Sequence, residues 1–237
     1  DPYVSVEQVL GTGKICGTET PSKMATRSTT ENKIFFAGSN GDFFTTQDDQ
    51  STSAYHEVGL PVSTTIVNNE YAHTPIANRT KRRLGAIDAD GKGITANKHS
   101  ISMNLVLADT TLEIKHANYL RKDNELVLYN RLQGKYTRTN EYGTEVVVVL
   151  AEGEEWDMNK EIKVVATEYR HRQGGAAIPE NGAVLSGHGT MADALDAIAI
   201  GDTVVLALNT TMNGEAIAIT NCVGGDTRAL MLKDGKV

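Results

Sequence analysis

The sequence predicts an α+β protein that is mostly antiparallel sheet with a few short helices, and three observations support this prediction. Short β-like runs separated by turn residues fill the chain from residue 61 to residue 150. The gaps between these runs are too short to hold crossover helices, so antiparallel pairing is expected. Only two stretches carry clear helix signals, and no linker rich in Pro or Ser divides the 237 residues. We therefore predict a single domain over residues 1–237.

Composition restricts the partners of this domain. The 23 basic and 30 acidic residues give a net charge of −7, which argues against a broad attraction to nucleic acid or to an anionic membrane. The sequence has no run of about 18 apolar residues, so we expect no membrane-spanning helix. Cys16 and Cys222 allow either one disulfide or two buried thiols, and the sequence leaves that choice open.

The first fifty residues predict a strand, a helix and a second strand. Valines alternate with polar residues in YVSVEQVL, which is typical of a strand with one buried face. Thr20 followed by Pro21 is typical of the N-cap and the first residue of a helix. The run NKIFFAG then predicts the end of a buried strand, and Asn40-Gly41 after it is a turn signal.

The later elements are predicted to be short strands with one further helix. The strands are expected in PVSTTIVNNEY, RLGAIDADGKGITA, SISMNLVLAD, TLEIKHAN, ELVLYN, TEVVVVLAEG, IKVVATEYR, GAVLSGHG and DTVVLALN. The clearest helix signal is HGTMADALDAIAIGD, with Thr190 as the N-cap and Gly201 at the end. Met191, Leu195 and Ile198 would lie on one apolar face of this helix.

Two local motifs suggest chemistry but also have simpler interpretations. DADGKG, which begins at Asp88, resembles the opening of a calcium loop, yet His99 stands where a bidentate Glu is required, which favours an ordinary hairpin turn. LSGHG around Ser186 lacks the first Gly of a nucleophile elbow, which favours a strand that ends in a glycine turn. His188 remains a candidate for substrate binding, because a helix N-terminus offers backbone donors to an anion. The His and Cys spacings predict no local zinc site.

The polar run between two Phe pairs is the strongest candidate site. All four Phe of the chain lie in FFAGSNGDFF. Asn40 and Asp42 could bind sugar hydroxyls or a metal-bound oxygen while Phe43 supplies an apolar wall. The alternative is a turn in which Asp42 caps its own backbone. Gly224-Gly225 is a second candidate, because paired glycines either let a substrate approach the backbone closely or form a bulge or tight turn.

The order of these segments resembles the phosphodiester glycosidase family, which includes the mammalian uncovering enzyme and bacterial secreted members. The resemblance is carried by PSKMATRSTTENKIFFAGSNGDFF, GLPVSTTIVNNEY, NEYGTEVVVV, IPENGAVLSGHG, DTVVLAL and CVGGDTRALMLKDGKV. The uncovering enzyme removes N-acetylglucosamine from a phosphodiester on mannose. The resemblance covers nearly all of the chain and implies the fold of that family.

The resemblance also implies roles for the candidate residues. Residues 40–43 match the Asn-Gly-(Gly/Asp)-Phe-Phe site segment of the family, and residues 224–225 match its Gly-Gly pair before a strand, here residues 230–235. Asp42 would act as base, nucleophile or metal ligand near the anomeric carbon. The implied catalytic residues are Asp42 and Asn40, and the substrate-binding candidates are Gly41, Phe43, Gly224, Gly225 and His188. No metal is identified, and a divalent cation is one option for the cofactor.

Members of the family continue past the point that corresponds to Val237. Their Arg-Thr-Ala, Asp-Gly-Arg and Asp-Gly-Gly-Gly-Ser segments, which are expected to supply much of the catalytic charge, have no counterpart in these 237 residues. We therefore expect a domain that is incomplete at its carboxy terminus and inactive alone. The full-length protein is expected to cleave a sugar-1-phosphodiester outside the cytoplasm, with a glycan or sugar phosphate as its partner. The alternative is a non-catalytic carbohydrate- or envelope-associated binding module on the same scaffold.

Overall fold

The structure is a computed structural model that describes residues 3–47, 58–75, 83–96 and 98–225. Its smaller sheet has five strands, which are β1 (Thr65–Val67), β2 (Glu70–His73), β3 (Leu84–Asp88), β4 (Gly93–Ala96) and β14 (Ile219–Gly224), in the order β2-β1-β14-β3-β4. All neighbouring strands of this sheet are antiparallel. The last strand of the described chain therefore lies in the middle of the sheet, between two strands that come more than a hundred residues earlier.

The larger sheet has nine strands. They are β5 (His99–Val106), β6 (Thr111–Glu113), β7 (His116–Ala117), β8 (Leu126–Asn130), β9 (Gly143–Leu150), β10 (Glu161–His171), β11 (Gly182–His188), β12 (Thr203–Met212) and β13 (Glu215–Ala216). The order is β6-β5-β12-β10-β9-β11-β8-β7, and β13 pairs with β12 outside this path. The sheet-rich α+β class is thus confirmed.

One strand pair departs from the predicted antiparallel pairing. β7 and β8 run parallel, with His116 opposite Val127 and Ala117 opposite Leu128. Residues 118–125 return the chain to the start of the next strand without a helix. Asn118 and Asn124 adopt positive φ values of 50° and 58° in this loop, a backbone conformation that Asn tolerates better than most residues and that permits tight reversals.

The main hydrophobic core joins the two sheets. Its fully buried members include Ile66 and Leu84 of the smaller sheet and Leu105, Val146 and Leu185 of the larger sheet. The middle of β9 is buried on both faces, because Val147 points away from this core into a second cluster with Tyr129 and Val184. The continuous apolar run VVVV therefore reflects a central strand that is covered on both sides.

The two helices agree only in part with the sequence. α1 (Pro21–Ser28) begins as predicted, with Thr20 Oγ1 accepting from Lys23 N at 3.4 Å. α2 (Thr190–Leu195) is shorter than predicted, and its N-cap is Gly189, at φ 54°, instead of Thr190. None of the helices in the described parts of the chain is long and apolar enough to cross a membrane.

The end of α2 has a physical cause. Asp196 follows the helix, and its Oδ1 accepts hydrogen bonds from Thr144 Oγ1 at 2.8 Å and from Tyr169 OH at 2.7 Å. These bonds hold the chain to the larger sheet at this point. A turn then carries Ile198 into the core, where it is buried, so packing against the sheet replaces the last predicted turn of helix.

The two amino-terminal strand predictions are wrong. YVSVEQVL and NKIFFAG belong to no strand in the structure, and Ile34 and Phe36 are 72% and 77% exposed. Alternating side chains satisfy only one requirement of a strand, since the backbone also needs a neighbouring strand to complete its hydrogen bonds. Lys33, in the second of these runs, forms one isolated bridge with Thr30.

The predicted hairpin turn at DADGKG is confirmed. It joins β3 to β4, and Asp88 Oδ1 accepts from Asp90 N at 3.0 Å and from Lys92 N at 2.8 Å. These backbone bonds occupy the carboxylate that a calcium loop would use first. Across the described residues, no group of three or more His, Cys, Asp or Glu side chains is arranged to hold a metal ion.

Candidate functional site

The candidate site lies where the NGDFF segment, residues 40–44, meets the end of β14. Backbone hydrogen bonds place the segment: Val62 N donates to Phe43 O at 3.0 Å, and Thr45 N donates to Leu60 O at 2.9 Å. Phe44 also forms an isolated bridge with Pro61. Residues 60–62, just before β1, therefore hold the NGDFF segment in place through backbone hydrogen bonds.

Both oxygens of the Asp42 carboxylate accept backbone hydrogen bonds. Phe43 N donates to Oδ1 at 2.8 Å, and Ser63 N donates to Oδ2 at 2.6 Å. The first bond is the local cap that the turn interpretation predicts. The second bond is long-range, and it orients the carboxylate toward the smaller sheet. Bonds to an ionised acceptor are short and strong, so Asp42 is held in a defined position.

Two glycines permit this approach. A Cβ atom at Gly224 would overlap the Ser63 side chain and would lie 2.8 Å from Asp42 Oδ2. A Cβ atom at Gly41 would lie 2.5 Å from Val223 Cγ2. Residues 40–44, Ser63 and Gly224, which we call the Asp42 corner, are therefore in direct contact although they come from three distant parts of the chain. The structure brings the predicted site residues Gly41, Asp42 and Gly224 together.

The other candidates near this corner lie at its edges. Asn40 is exposed, and Phe43 is 54% exposed, so both lie at the surface. Gly225 N donates to Arg83 O at 2.8 Å, and a Cβ atom there would meet the same oxygen at an ordinary 3.5 Å. The steric requirement for glycine thus falls on Gly224 and not on Gly225.

Both cysteines are thiols in the structure. Cys222 lies in β14 and its Sγ is 3.8 Å from Thr64 O, to which the thiol donates. Burial, together with the nearby charge of Asp42, raises the pKa of Cys222 to about 12, so the thiol stays protonated. Cys16 is half-buried and packs beside Ile15, Leu60 and Tyr119.

Ser63, whose backbone N–H donates to Asp42, is one of three buried polar residues, Ser63, Thr64 and His73, which we call the buried trio. Ser63 and Thr64 precede β1, and Thr65 is paired with His73 across the β1–β2 hairpin. The imidazole of His73 is fully buried and meets the ring of Tyr119 edge-on at 5.8 Å. Burial, reinforced by the neighbouring His116, lowers the pKa of His73 to about 3, so this ring is neutral.

His188 does not contact Asp42. It ends β11 in the larger sheet, where its backbone N donates to Glu125 O at 3.1 Å. His116, in β7, has its Nδ1 3.2 Å from Thr74 Oγ1, next to His73 in the chain, and it also senses the charge of Glu125, whose backbone binds His188. Burial lowers the pKa of His116, and the charge of Glu125 opposes this shift. The first backbone donor of α2 is already used, because Thr190 N donates to Asn124 Oδ1 at 3.1 Å.

Sequence reasoning missed Ser63, His73 and His116. No HxxxH or HxH spacing links the histidines, and their proximity results from the packing of β2 against β7. One usable signal was present: PVSTT places three consecutive hydroxyl residues just before a strand that the flanking apolar residues predict to be buried. Hydroxyls in a buried strand require partners, which points to a polar site.

No family model matches this chain, and no curated protein sequence matches it. Two solved structures are similar to it. One is a protein of Burkholderia pseudomallei K96243 that its name assigns as exported, with a TM-score of 0.57 and 21% identity over 79% of this chain. The other is a hypothetical protein from Synechocystis, with a TM-score of 0.50 and 17% identity over 79% of this chain. The chain spans 40% and 31% of these two proteins, respectively.

At these identities the likeness shows the fold alone. The chain thus shares its fold with parts of two larger proteins. Function depends on the residues of a site and not on the fold that carries them.

Proposed function

We propose that the Asp42 corner is the reaction site of a phosphodiester glycosidase, which in the full-length protein cleaves a sugar-1-phosphodiester such as one of N-acetylglucosamine. One observation carries the proposal. Asp42 and Gly224 belong to two sequence segments that resemble the family, and a Cβ atom at Gly224 would lie 2.8 Å from the Asp42 carboxylate. Two segments about 180 residues apart thus meet at the Asp42 carboxylate, the group that cleavage of a glycosidic bond requires.

Cleavage of this bond needs a carboxylate near the anomeric carbon, because the transition state carries oxocarbenium character. Asp42 supplies that charge, as base, nucleophile or stabilising anion. Its bonds to Phe43 N and Ser63 N fix the carboxylate before substrate arrives, which is the preorganisation that electrostatic catalysis uses. Asn40 at the edge is suited to bind sugar hydroxyls, and Phe43 offers an apolar face to the ring.

The phosphate leaving group needs a cation or an acid. Asp42 and Asn40 offer oxygen ligands of the kind that magnesium and calcium prefer. The described residues do not supply a third His, Cys, Asp or Glu ligand beside them, so they do not form a complete metal site. We propose that further residues of the full-length protein contribute this charge and that the 237-residue chain alone is inactive.

The location and the partner follow from the same proposal. The name of the similar Burkholderia protein assigns it as exported, which supports a location outside the cytoplasm. We therefore place the protein outside the cytoplasm.

A binding module without catalysis is the second candidate function. Phe36, Phe43 and Phe44 are exposed on the amino-terminal part of the chain. Exposed aromatic rings beside polar groups bind the apolar faces of sugars, and that binding requires no reacting carboxylate. The exposed rings therefore favour carbohydrate recognition under either proposal.

Hydrolysis of an N-acetylglucosamine-phosphate-methyl-mannose analogue separates the two functions. The assay compares the full gene product, the 237-residue chain and the full-length Asp42→Ala variant, with Asp90→Ala in the exposed β3–β4 turn as the control. We expect turnover by the full product and by Asp90→Ala only. An inert full product, tested on several sugars with and without divalent cations, would overturn the enzyme proposal, and calorimetry with the same sugars would then test the binding module.

A further inference from the structure

Unpartnered polar atoms concentrate in the β1–β2 hairpin and in the two residues before it. Eight buried side-chain nitrogen and oxygen atoms of the described residues have no hydrogen-bond partner, and four of the eight belong to the buried trio: Ser63 Oγ, Thr64 Oγ1 and both ring nitrogens of His73. Folded proteins pair the great majority of buried polar atoms. Such a concentration in one place therefore indicates a polar group that the trio receives from outside the chain.

One member of the trio, Ser63, contacts the Asp42 carboxylate directly. Ser63 N donates to Asp42 Oδ2 at 2.6 Å, and Thr65, two residues later, pairs with His73 across the hairpin. The His73 ring is held in place by an edge-on contact with Tyr119, and Tyr119 meets the His116 ring edge-on at 5.2 Å. The unpartnered nitrogens of His73 thus belong to a ring that is held by aromatic contacts, on the strand that pairs with the residue two positions after Ser63.

The chemistry of the trio selects an uncharged ligand group. Each Ser or Thr hydroxyl both donates and accepts, and a neutral imidazole has one donor and one acceptor nitrogen. His73 is neutral because its pKa lies near 3. A phosphodiester group only accepts and would leave the acceptor capacity of the trio unused, whereas a metal ion takes lone pairs and would leave the donor hydrogens of the trio without acceptors. A hydroxyl of the ligand donates and accepts, as the trio does.

We propose that Ser63, Thr64 and His73 form a subsite that receives a hydroxyl-bearing arm of a sugar whose reacting bond lies at Asp42. The choice of a sugar rests on the proposed function, whereas the preference for an uncharged hydroxyl rests on the trio itself. His73 is a positioning residue in this arrangement, because it binds a part of the ligand that does not react. Its removal should weaken binding more than it slows the chemical step.

Histidine ring resonances provide the direct test. The 237-residue chain, labelled with ¹⁵N-histidine, is titrated with N-acetylglucosamine and, in parallel, with inorganic phosphate. We expect the sugar to shift the ring nitrogens of His73 while those of the partly exposed His171 stay unchanged, and we expect phosphate to shift neither ring. His73→Phe should weaken sugar binding at least tenfold, and His171→Phe should leave it unchanged. In the full gene product, His73→Phe should raise KM by a larger factor than it lowers kcat.

Each outcome decides the proposal. Sugar binding that leaves the His73 resonances unshifted, or a His73→Phe variant that binds like the wild type, would show that the trio is merely hydrated and would overturn the subsite. Thr64→Val serves as the second variant where His73→Phe does not fold, with the same expected weakening. If hydrolysis depends on Asp42 but is unchanged in His73→Phe and Thr64→Val, the enzyme proposal holds and the subsite proposal is wrong. If the sugar shifts the His73 ring resonances but the full gene product hydrolyses no substrate, the subsite proposal holds and the enzyme proposal is wrong.

Discussion

Two polar regions of the molecule contain similar buried residues, but they differ in whether those residues have hydrogen-bond partners. In the region that we call the Glu145 network, the buried carboxylate of Glu145 accepts from Thr139 Oγ1 at 2.8 Å, from Ser186 Oγ at 2.9 Å and from Ala176 N at 2.9 Å. Arg121 Nη1 donates to the same Ser186 oxygen at 2.9 Å. Every group of this network has a partner within the chain. In the buried trio, by contrast, the Ser63, Thr64 and His73 side chains have polar atoms without one.

The difference distinguishes a structural role from a binding role. A buried network whose members are all paired fixes the fold at one point and has no bond to offer a ligand. Buried groups that lack partners lower stability, and proteins retain such costs mainly at functional sites. Ser186, which lies in a sequence motif that suggests a nucleophile, therefore belongs to the scaffold, whereas Ser63, which lies in no motif, belongs to the candidate site.

Removal of the Glu145 carboxylate should have the largest effect on stability. Glu145→Ala removes the acceptor of two hydroxyl groups and of the Ala176 N–H, and it removes the charge beside Arg121. We expect the free energy of unfolding to fall by about 3–5 kcal/mol, measured by urea denaturation. Glu152→Ala, at an exposed position between β9 and β10, is the control and should change it by less than ~0.5 kcal/mol. A loss below about 1 kcal/mol for Glu145→Ala would contradict the structural role of this network.

The neighbouring glycines of β14 should respond differently to the same substitution. Gly224→Ala forces a methyl group into Ser63 and toward Asp42 Oδ2, so we expect a loss of about 1–3 kcal/mol in unfolding free energy and a loss of hydrolysis in the full gene product. Gly225→Ala meets only Arg83 O at 3.5 Å and should cost less than ~1 kcal/mol. Urea denaturation and turnover measured on both variants test this contrast, and equal effects would contradict the close packing at the Asp42 corner.

Acid should destabilise the protein through His73. Its pKa falls from 6.5 to about 3 on folding, so between these pH values the unfolded chain binds a proton that the folded chain does not. The free energy of unfolding therefore decreases as pH falls from 6.5, by up to ~1.4 kcal/mol per pH unit from this residue. Urea denaturation at pH 7, 6 and 5 should show a steeper decline for the wild type than for His73→Phe. His171→Phe is the control for general histidine effects, and parallel curves for wild type and His73→Phe would contradict the burial of a neutral ring.

The sequence predicts those parts of the fold that depend on local interactions. Thr20 and Pro21 begin α1 because capping and a fixed φ act within one turn of the chain. The Asp88 hairpin forms because its side chain bonds its own backbone. The strand predictions at the amino terminus fail for the opposite reason, because a strand requires a partner that no property of YVSVEQVL or NKIFFAG supplies.

The candidate site is only partly predictable for the same reason. Asp42 and Gly224 can be singled out by residue type and by resemblance, but their contact requires β14 to pair with β1, where Cys222 is opposite Ile66. His73 and His116 carry no spacing signal at all, since β2 must first pack against β7. Long-range pairing, and not local propensity, decides which polar residues lack partners.

The smallest expected effect is also the sharpest comparison, because one substitution is made at two buried threonines. Thr210 Oγ1 is hydrogen-bonded to Tyr71 OH at 2.5 Å, whereas Thr64 Oγ1 is buried without a partner. Thr210→Val leaves the Tyr71 hydroxyl with one bond fewer and should lower the free energy of unfolding by about 1 kcal/mol. Thr64→Val removes a hydroxyl that has no bond to lose, so the free energy of unfolding should stay unchanged or rise by up to ~1 kcal/mol.

If urea denaturation shows changes of opposite sign in the free energy of unfolding of the two variants, the unpartnered Thr64 hydroxyl lowers the stability of the ligand-free protein. Equal losses would mean that water already satisfies Thr64 as fully as Tyr71 satisfies Thr210, and the contrast between the Asp42 corner and the paired networks of the larger sheet would then disappear. Repeating both measurements with N-acetylglucosamine present sharpens the result. Because a ligand that binds only the folded state stabilises it, the sugar should stabilise wild type and Thr210→Val more than Thr64→Val.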